Sequence, residues 1–132
     1  MFKYQVSGCN EIGFKLLLFL AIVMVTWQAT SPLPDDHQPL INDKLGHLMV
    51  FFVLAFIVDH AFATTRFNLK KFAWLVAYGF VIEGLQYYVP SRHFSLLDMA
   101  ANTVGIAVYW LLFTTLIQRL PTPQQANKEI SE

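Results

Sequence analysis

Four stretches of largely apolar sequence limit what this chain can fold into. They cover residues 13–30, 45–63, 71–89 and 96–117. Each is close to the roughly 20 residues that a helix needs to cross a hydrocarbon core about 30 Å thick. In such a core the backbone must satisfy its own hydrogen bonds, so these runs read as helices. Pro32 and Pro34 stop the first run and Pro90 stops the third, as expected of a residue that lacks an amide hydrogen. The first run also resembles a secretory leader. Its only small-x-small set, Ala29-Thr30-Ser31, would place the cut directly before Pro32, so it reads as a retained anchor. Only 14% of the 132 residues are charged and 55% are hydrophobic, against about 25% charged in a typical soluble domain.

The expected fold is therefore all-α: a bundle of four transmembrane helices within residues 13–117, forming one domain. A short N-terminal segment, residues 1–12, precedes it. A polar, Pro-containing tail, residues 118–132, follows and is expected to be disordered. Orientation follows from the basic residues of the short loops. Lys3, Lys15, Arg66, Lys70, Lys71, Arg119 and Lys128 fall on one side, and only Lys44 and Arg92 on the other. This bias predicts that both termini are cytoplasmic. Trp27, Tyr87 and Tyr88 would then sit near the outer interface, with Trp74 near the inner one. Nine basic and nine acidic residues balance, so bulk charge does not point to nucleic acid. Cys9 is the only cysteine and has no intramolecular partner.

The polar residues within and beside the runs are unevenly placed. Asn42 or Asp43 is positioned to cap the second helix, with His47 about one turn below on the same face. In the third, Gly79, Glu83 and Gln86 form an i, i+4, i+7 stripe. Glu83 lies six residues below Val89, about 9 Å at roughly 1.5 Å per residue. Ser95 and Asp98 open the fourth helix with a capping-box spacing, and Asn102 and Gly105 continue the stripe of Asp98. These positions share the outer part of the bilayer, with Arg92 and His93 in the loop just above. Gly46, Gly79, Gly84 and Gly105 would let the helices approach there. Asp59 and His60, at the inner end of the second helix, read as interfacial, and Asp35, Asp36 and His37 as a solvated loop. The first helix, with no ionisable group after Lys15, reads as packing and topology.

The ordered set "NDKLGH", "VIEGLQ", "SRHFSLLDMAAN" resembles the VanZ-like family of bacterial membrane proteins. The matching positions are Asp43, Lys44, His47, Glu83, Gln86, Arg92, Asp98 and Asn102, spread over roughly residues 42–110. The resemblance implies a multi-pass protein of the bacterial plasma membrane. The family takes its name from a member associated with low-level teicoplanin resistance, so resistance is one role that it allows. It supplies no biochemical mechanism.

An ionisable group deep in a membrane is costly and by default marks function. Three readings stay open. In the first, the polar site binds an anionic lipid-linked or cell-envelope headgroup. Lys44 and Arg92 would grip the anion, Glu83, Asp98 and Asn102 would orient the rest of the ligand, and Asp43 and Gln86 would complete the site. In the second, His47 and Glu83 act as acid and base in an intramembrane hydrolase or transferase. In the third, the chain is a non-catalytic membrane interaction protein whose polar cluster only locks helices together, with Lys44 or Arg92 paired to Glu83. The cofactor stays unknown; a metal site of His47, Glu83 and Asp98, with His93, is one option but lacks diagnostic ligand spacing.

Overall fold

The computed structural model describes residues 8–32 and 41–119. It comprises α1 (Gly8–Thr30), α2 (Ile41–Ala61), α3 (Leu69–Gln86) and α4 (Leu96–Arg119), with no strand among the described residues. The expected four-helix, all-α architecture is therefore present. The Asp35–His37 loop, residues 1–7 and the tail from residue 120 lie outside the described residues, as does the side chain of Cys9. Stretches within α1, α2 and α4 are long and apolar enough to cross a membrane. The 18 residues of α3 would span about 27 Å. It carries Lys70 and Lys71 at its start and Glu83 near its end, and is not among the stretches apolar enough to cross a membrane.

Helix limits follow the sequence signals with shifts of a few residues. α1 stops at Thr30, two residues before Pro32, and α4 starts at Leu96, directly after Ser95. α2 starts earlier than expected, at Ile41, so Asp43 lies in its first turn rather than at its cap. A carboxylate there still complements the positive end of the helix dipole. α3 is capped by Asn68, whose side-chain oxygen accepts from the amides of Lys70 at 3.0 Å and Lys71 at 3.1 Å.

Phe51, Leu54, Ala55 and Val58 of α2 pack on Leu75 of α3 and on Ile106 and Tyr109 of α4. α2 and α4 make the closest seam: a Cβ at Gly105 would fall onto the carbonyl oxygen of Leu48. Gly79 is also close-packed, against Asn102 and Phe51. Gly46 and Gly84, by contrast, face open space, so only two of the four glycines expected at helix contacts are at one. α1 packs on α2 and α3 and has no contact with α4 among the described residues. Large apolar side chains on the outside of the bundle, among them Phe19, Met24, Phe80 and Leu111, are exposed. That surface suits lipid as its solvent and would be a liability in water.

The far end of the bundle corrects one expectation. Asp59 is not interfacial but buried, at 6% exposure, and Lys71 beside it is buried as well. Their charged atoms lie 2.7 Å apart. The Lys71 ammonium also donates to the carbonyls of Asp59, Phe62 and Thr65, at 3.4, 3.0 and 2.7 Å. Those carbonyls lie at and just beyond the C-terminus of α2, where intrahelical partners run out. The Tyr109 hydroxyl donates to the other Asp59 oxygen at 2.9 Å. The short connection to α3 brings Lys71 back under α2, so the pair forms inside the protein instead of reaching out to water.

Candidate functional site

The opposite end of the bundle gathers the end of α1, the start of α2, the end of α3 and the start of α4. All eight residues singled out in the sequence converge there, though not with the partners expected. Lys44 Nζ donates to Asp98 Oδ1 at 2.8 Å, tying α2 to α4. One turn deeper, His47 Nδ1 lies 3.1 Å from Asn102 Oδ1 across the same seam. With the Asn102 amide in this orientation its oxygen accepts and His47 Nδ1 donates.

Glu83 is fully buried, and no cation pairs with it among the described residues. Its Oε2 accepts from the backbone amide of Ser95 at 3.1 Å. The capping box of α4 is thus half realised. Ser95 Oγ accepts from the Asp98 amide at 3.2 Å, while the Ser95 amide goes to Glu83 instead of to the Asp98 carboxylate. Asp98 is free to turn to Lys44 because a carboxylate from α3 has taken its capping role. Glu83 also sits at the positive end of the α4 dipole, a favourable place for it.

Gln86 continues this chain of bonds. With its amide oriented so that both ends are satisfied, it donates to Glu83 Oε1 at 3.2 Å and accepts from Arg92 Nη1 at 3.1 Å. Arg92 is folded back onto α1. Its Nε donates to the carbonyl of Ser31 and its Nη2 to that of Gln28, both at 3.0 Å. These carbonyls lie at the C-terminal end of α1, where a guanidinium is favoured. α1 therefore contributes more than packing, through backbone acceptors that no side-chain pattern reveals. The turn that returns Arg92 includes Ser91 at φ 66°, in the left-handed region. His93 is exposed, as expected of a loop residue.

Beside this network lies a cavity of about 370 Å³. One part of its wall is polar: Gln28 from α1, Asp43 and His47 from α2, Gln86 from α3, and Arg92 from the loop. The rest is apolar, built from Val25, Ala29, Val50, Phe51 and Ile82, and Gly46 adds a face without a side chain. Glu83 does not line the cavity and connects to it through Gln86. Asn102 is nearly fully buried, and its Nδ2 has no hydrogen-bond partner. Asp43, His47 and Asp98 each bring a potential ligand atom within 4.8 Å of the other two. The sequence reading missed that trio because Asp43 was placed at a helix cap.

The chain matches the VanZ/LLP1 family over residues 3–118. It belongs to that family. Comparison with curated proteins and with solved structures found no match. In this VanZ/LLP1 protein the eight positions occupy one end of the bundle. Backbone groups help to hold two of them, Glu83 and Arg92, and four, Asp43, His47, Gln86 and Arg92, line the cavity.

Proposed function

We propose that this VanZ/LLP1 protein is a multi-pass plasma-membrane protein, with both termini cytoplasmic, that binds the headgroup of an anionic lipid-linked or cell-envelope ligand. The observation that carries this reading is the two-faced cavity. Its volume falls within the roughly 300–1,000 Å³ usual for ligand sites. Its polar wall suits a headgroup and its apolar wall the adjoining chain. The excess of Lys and Arg at the other end of the bundle supports an outward-facing site.

Gly46 allows a direct test. It lines the cavity, and a Cβ there would meet no atom within 4 Å. Gly46→Phe should therefore fill the space without disturbing the seam. Native mass spectrometry from mild detergent should show the variant losing co-purified lipid while its thermal stability stays near that of the parent. Undiminished lipid retention in a well-folded Gly46→Phe protein refutes the proposal.

His47 supports a second reading. With Nδ1 bonded to Asn102 and the ring lining the cavity, His47 is placed to act through Nε2 as a general base in an intramembrane hydrolase or transferase. Glu83, the other half of that expectation, is buried behind Gln86 and serves as a capping group in this geometry. The enzyme reading requires that His47→Gln abolish a turnover measured on a lipid-linked substrate while ligand retention persists.

A further inference from the structure

The charges around the cavity raise a difficulty for any anionic ligand. Lys44 is engaged by Asp98, and Arg92 directs three nitrogens to Gln28, Ser31 and Gln86. Beside the Arg92 guanidinium, whose nitrogens are already engaged, the cavity's charged end presents the exposed carboxylate of Asp43 and the ring of His47. A carboxylate against a phosphate or carboxylate headgroup is repulsive, and a bound divalent cation would reverse the sign.

The geometry for such a cation is present. Asp43 and His47 are four residues apart on one face of α2, and Asp98 reaches them from the first turn of α4. Their ligand atoms cluster within 4.8 Å, and two of the three residues line the cavity. The His47 ring is held by Asn102, the kind of outer hydrogen bond that fixes a metal-binding imidazole. Asn102 makes this bond while its Nδ2 stays buried without an acceptor.

We infer that Asp43, His47 and Asp98 form a site for a divalent cation of the Mn²⁺ or Zn²⁺ type, through which the anionic headgroup in the cavity is held. Two carboxylates and an imidazole suit those ions. Lys44 is the competitor: its half-exposed side chain occupies Asp98 Oδ1 and swings out when the metal enters. The bridging role rests on the cavity being a ligand site, and the experiment separates the two claims.

The full-length protein in mild detergent is titrated with Mn²⁺, followed by electron paramagnetic resonance, and with Zn²⁺, followed by calorimetry. One saturable site per chain is expected. Asp98→Asn and His47→Ala should weaken it by at least roughly tenfold. Lys44→Gln should tighten it by roughly tenfold, because a competing positive charge is gone. A purely structural Lys44–Asp98 pair would give no such gain. If His47→Ala or Asp98→Asn fails to fold, Asp43→Asn replaces an exposed group and should also weaken binding. Saturable binding absent below about 1 mM for both ions, or unchanged in Asp43→Asn, overturns the cation site. Lipid retention is then read with and without chelator. Loss of lipid on chelation supports the bridge, and retention despite metal removal overturns it. Lipid kept by Gly46→Phe with metal binding intact refutes the cavity reading alone.

Discussion

Gly105 is where the α2–α4 seam tolerates least. A Cβ there would overlap the Leu48 carbonyl oxygen and lie 3.0 Å from its carbonyl carbon and 3.2 Å from its Cα. Carbon contacts settle at about 3.5–4.0 Å, so Gly105→Ala forces α4 to retreat from α2 by about 1 Å. A backbone carbonyl cannot move aside as a flexible side-chain tip can. Overpacking of this kind costs about 1–3 kcal/mol. The same retreat stretches the two bonds that cross the seam, Lys44–Asp98 at 2.8 Å and His47–Asn102 at 3.1 Å. An interhelical hydrogen bond in a membrane protein averages about 0.6 kcal/mol. The expected loss is therefore about 2–4 kcal/mol, less the up to about 1 kcal/mol that alanine gains over glycine within a helix. Gly46→Ala is the matched control: no atom lies within 4 Å of its added Cβ, and alanine in a helix gains up to about 1 kcal/mol over glycine. Reversible unfolding in mixed micelles should separate the two variants by several kcal/mol, in opposite directions from the parent. Equal stabilities would refute both the seam geometry and the argument built on it.

Three further outcomes follow from the polar ends. Lys71→Met leaves the Asp59 carboxylate buried without its counter-ion and should cost about 3–5 kcal/mol, whereas Asp59→Leu combined with Lys71→Met should recover most of that. Additive losses in the double variant, measured in the same unfolding assay, would contradict it. Arg92→Lys keeps the charge but cannot reach Gln28, Ser31 and Gln86 together. Hydrogen exchange should quicken at the end of α1 and stay slow at Phe51–Val58; unchanged exchange in α1 would sink this account. Asn68→Ala removes the α3 cap and should cost about 1 kcal/mol, restored by Asn68→Asp; equal stability of the Ala and Asp variants would show that the cap is unimportant.

The helices were legible because apolar length and proline are local signals, and their observed ends fall within a few residues of the expected ones. The convergence of eight polar residues was legible too, since stripes at known depth on antiparallel helices must meet. Their pairing was not. Either Lys44 or Arg92 would have satisfied Glu83 by sequence alone. What decides is the close approach at Gly105, which sets Asp98 beside Lys44, and the turn through Ser91, which sends Arg92 back to α1. Both are tertiary facts. Asp59 was misread for a related reason: a charge near a helix end normally snorkels to water, and only the return of the chain at Lys71 makes burial the cheaper choice.

The two polar ends also calibrate each other. At the Asp59 end, one carboxylate oxygen meets Lys71, the other meets Tyr109, and the ammonium collects three carbonyls besides. That is a closed, buried staple, and its only evident work is to hold α2, α3 and α4 in register. The Asp98 end contains a similar element in the Glu83, Gln86 and Arg92 chain, with its acceptors filled. It also contains what a staple does not need: a cavity of about 370 Å³, an exposed Asp43, a half-exposed Lys44 and an amide nitrogen buried without a partner. Holding the helices together accounts for the first group and leaves the second unexplained. The proposed ligand site accounts for that second group, with the Glu83 chain as the frame that keeps that corner open.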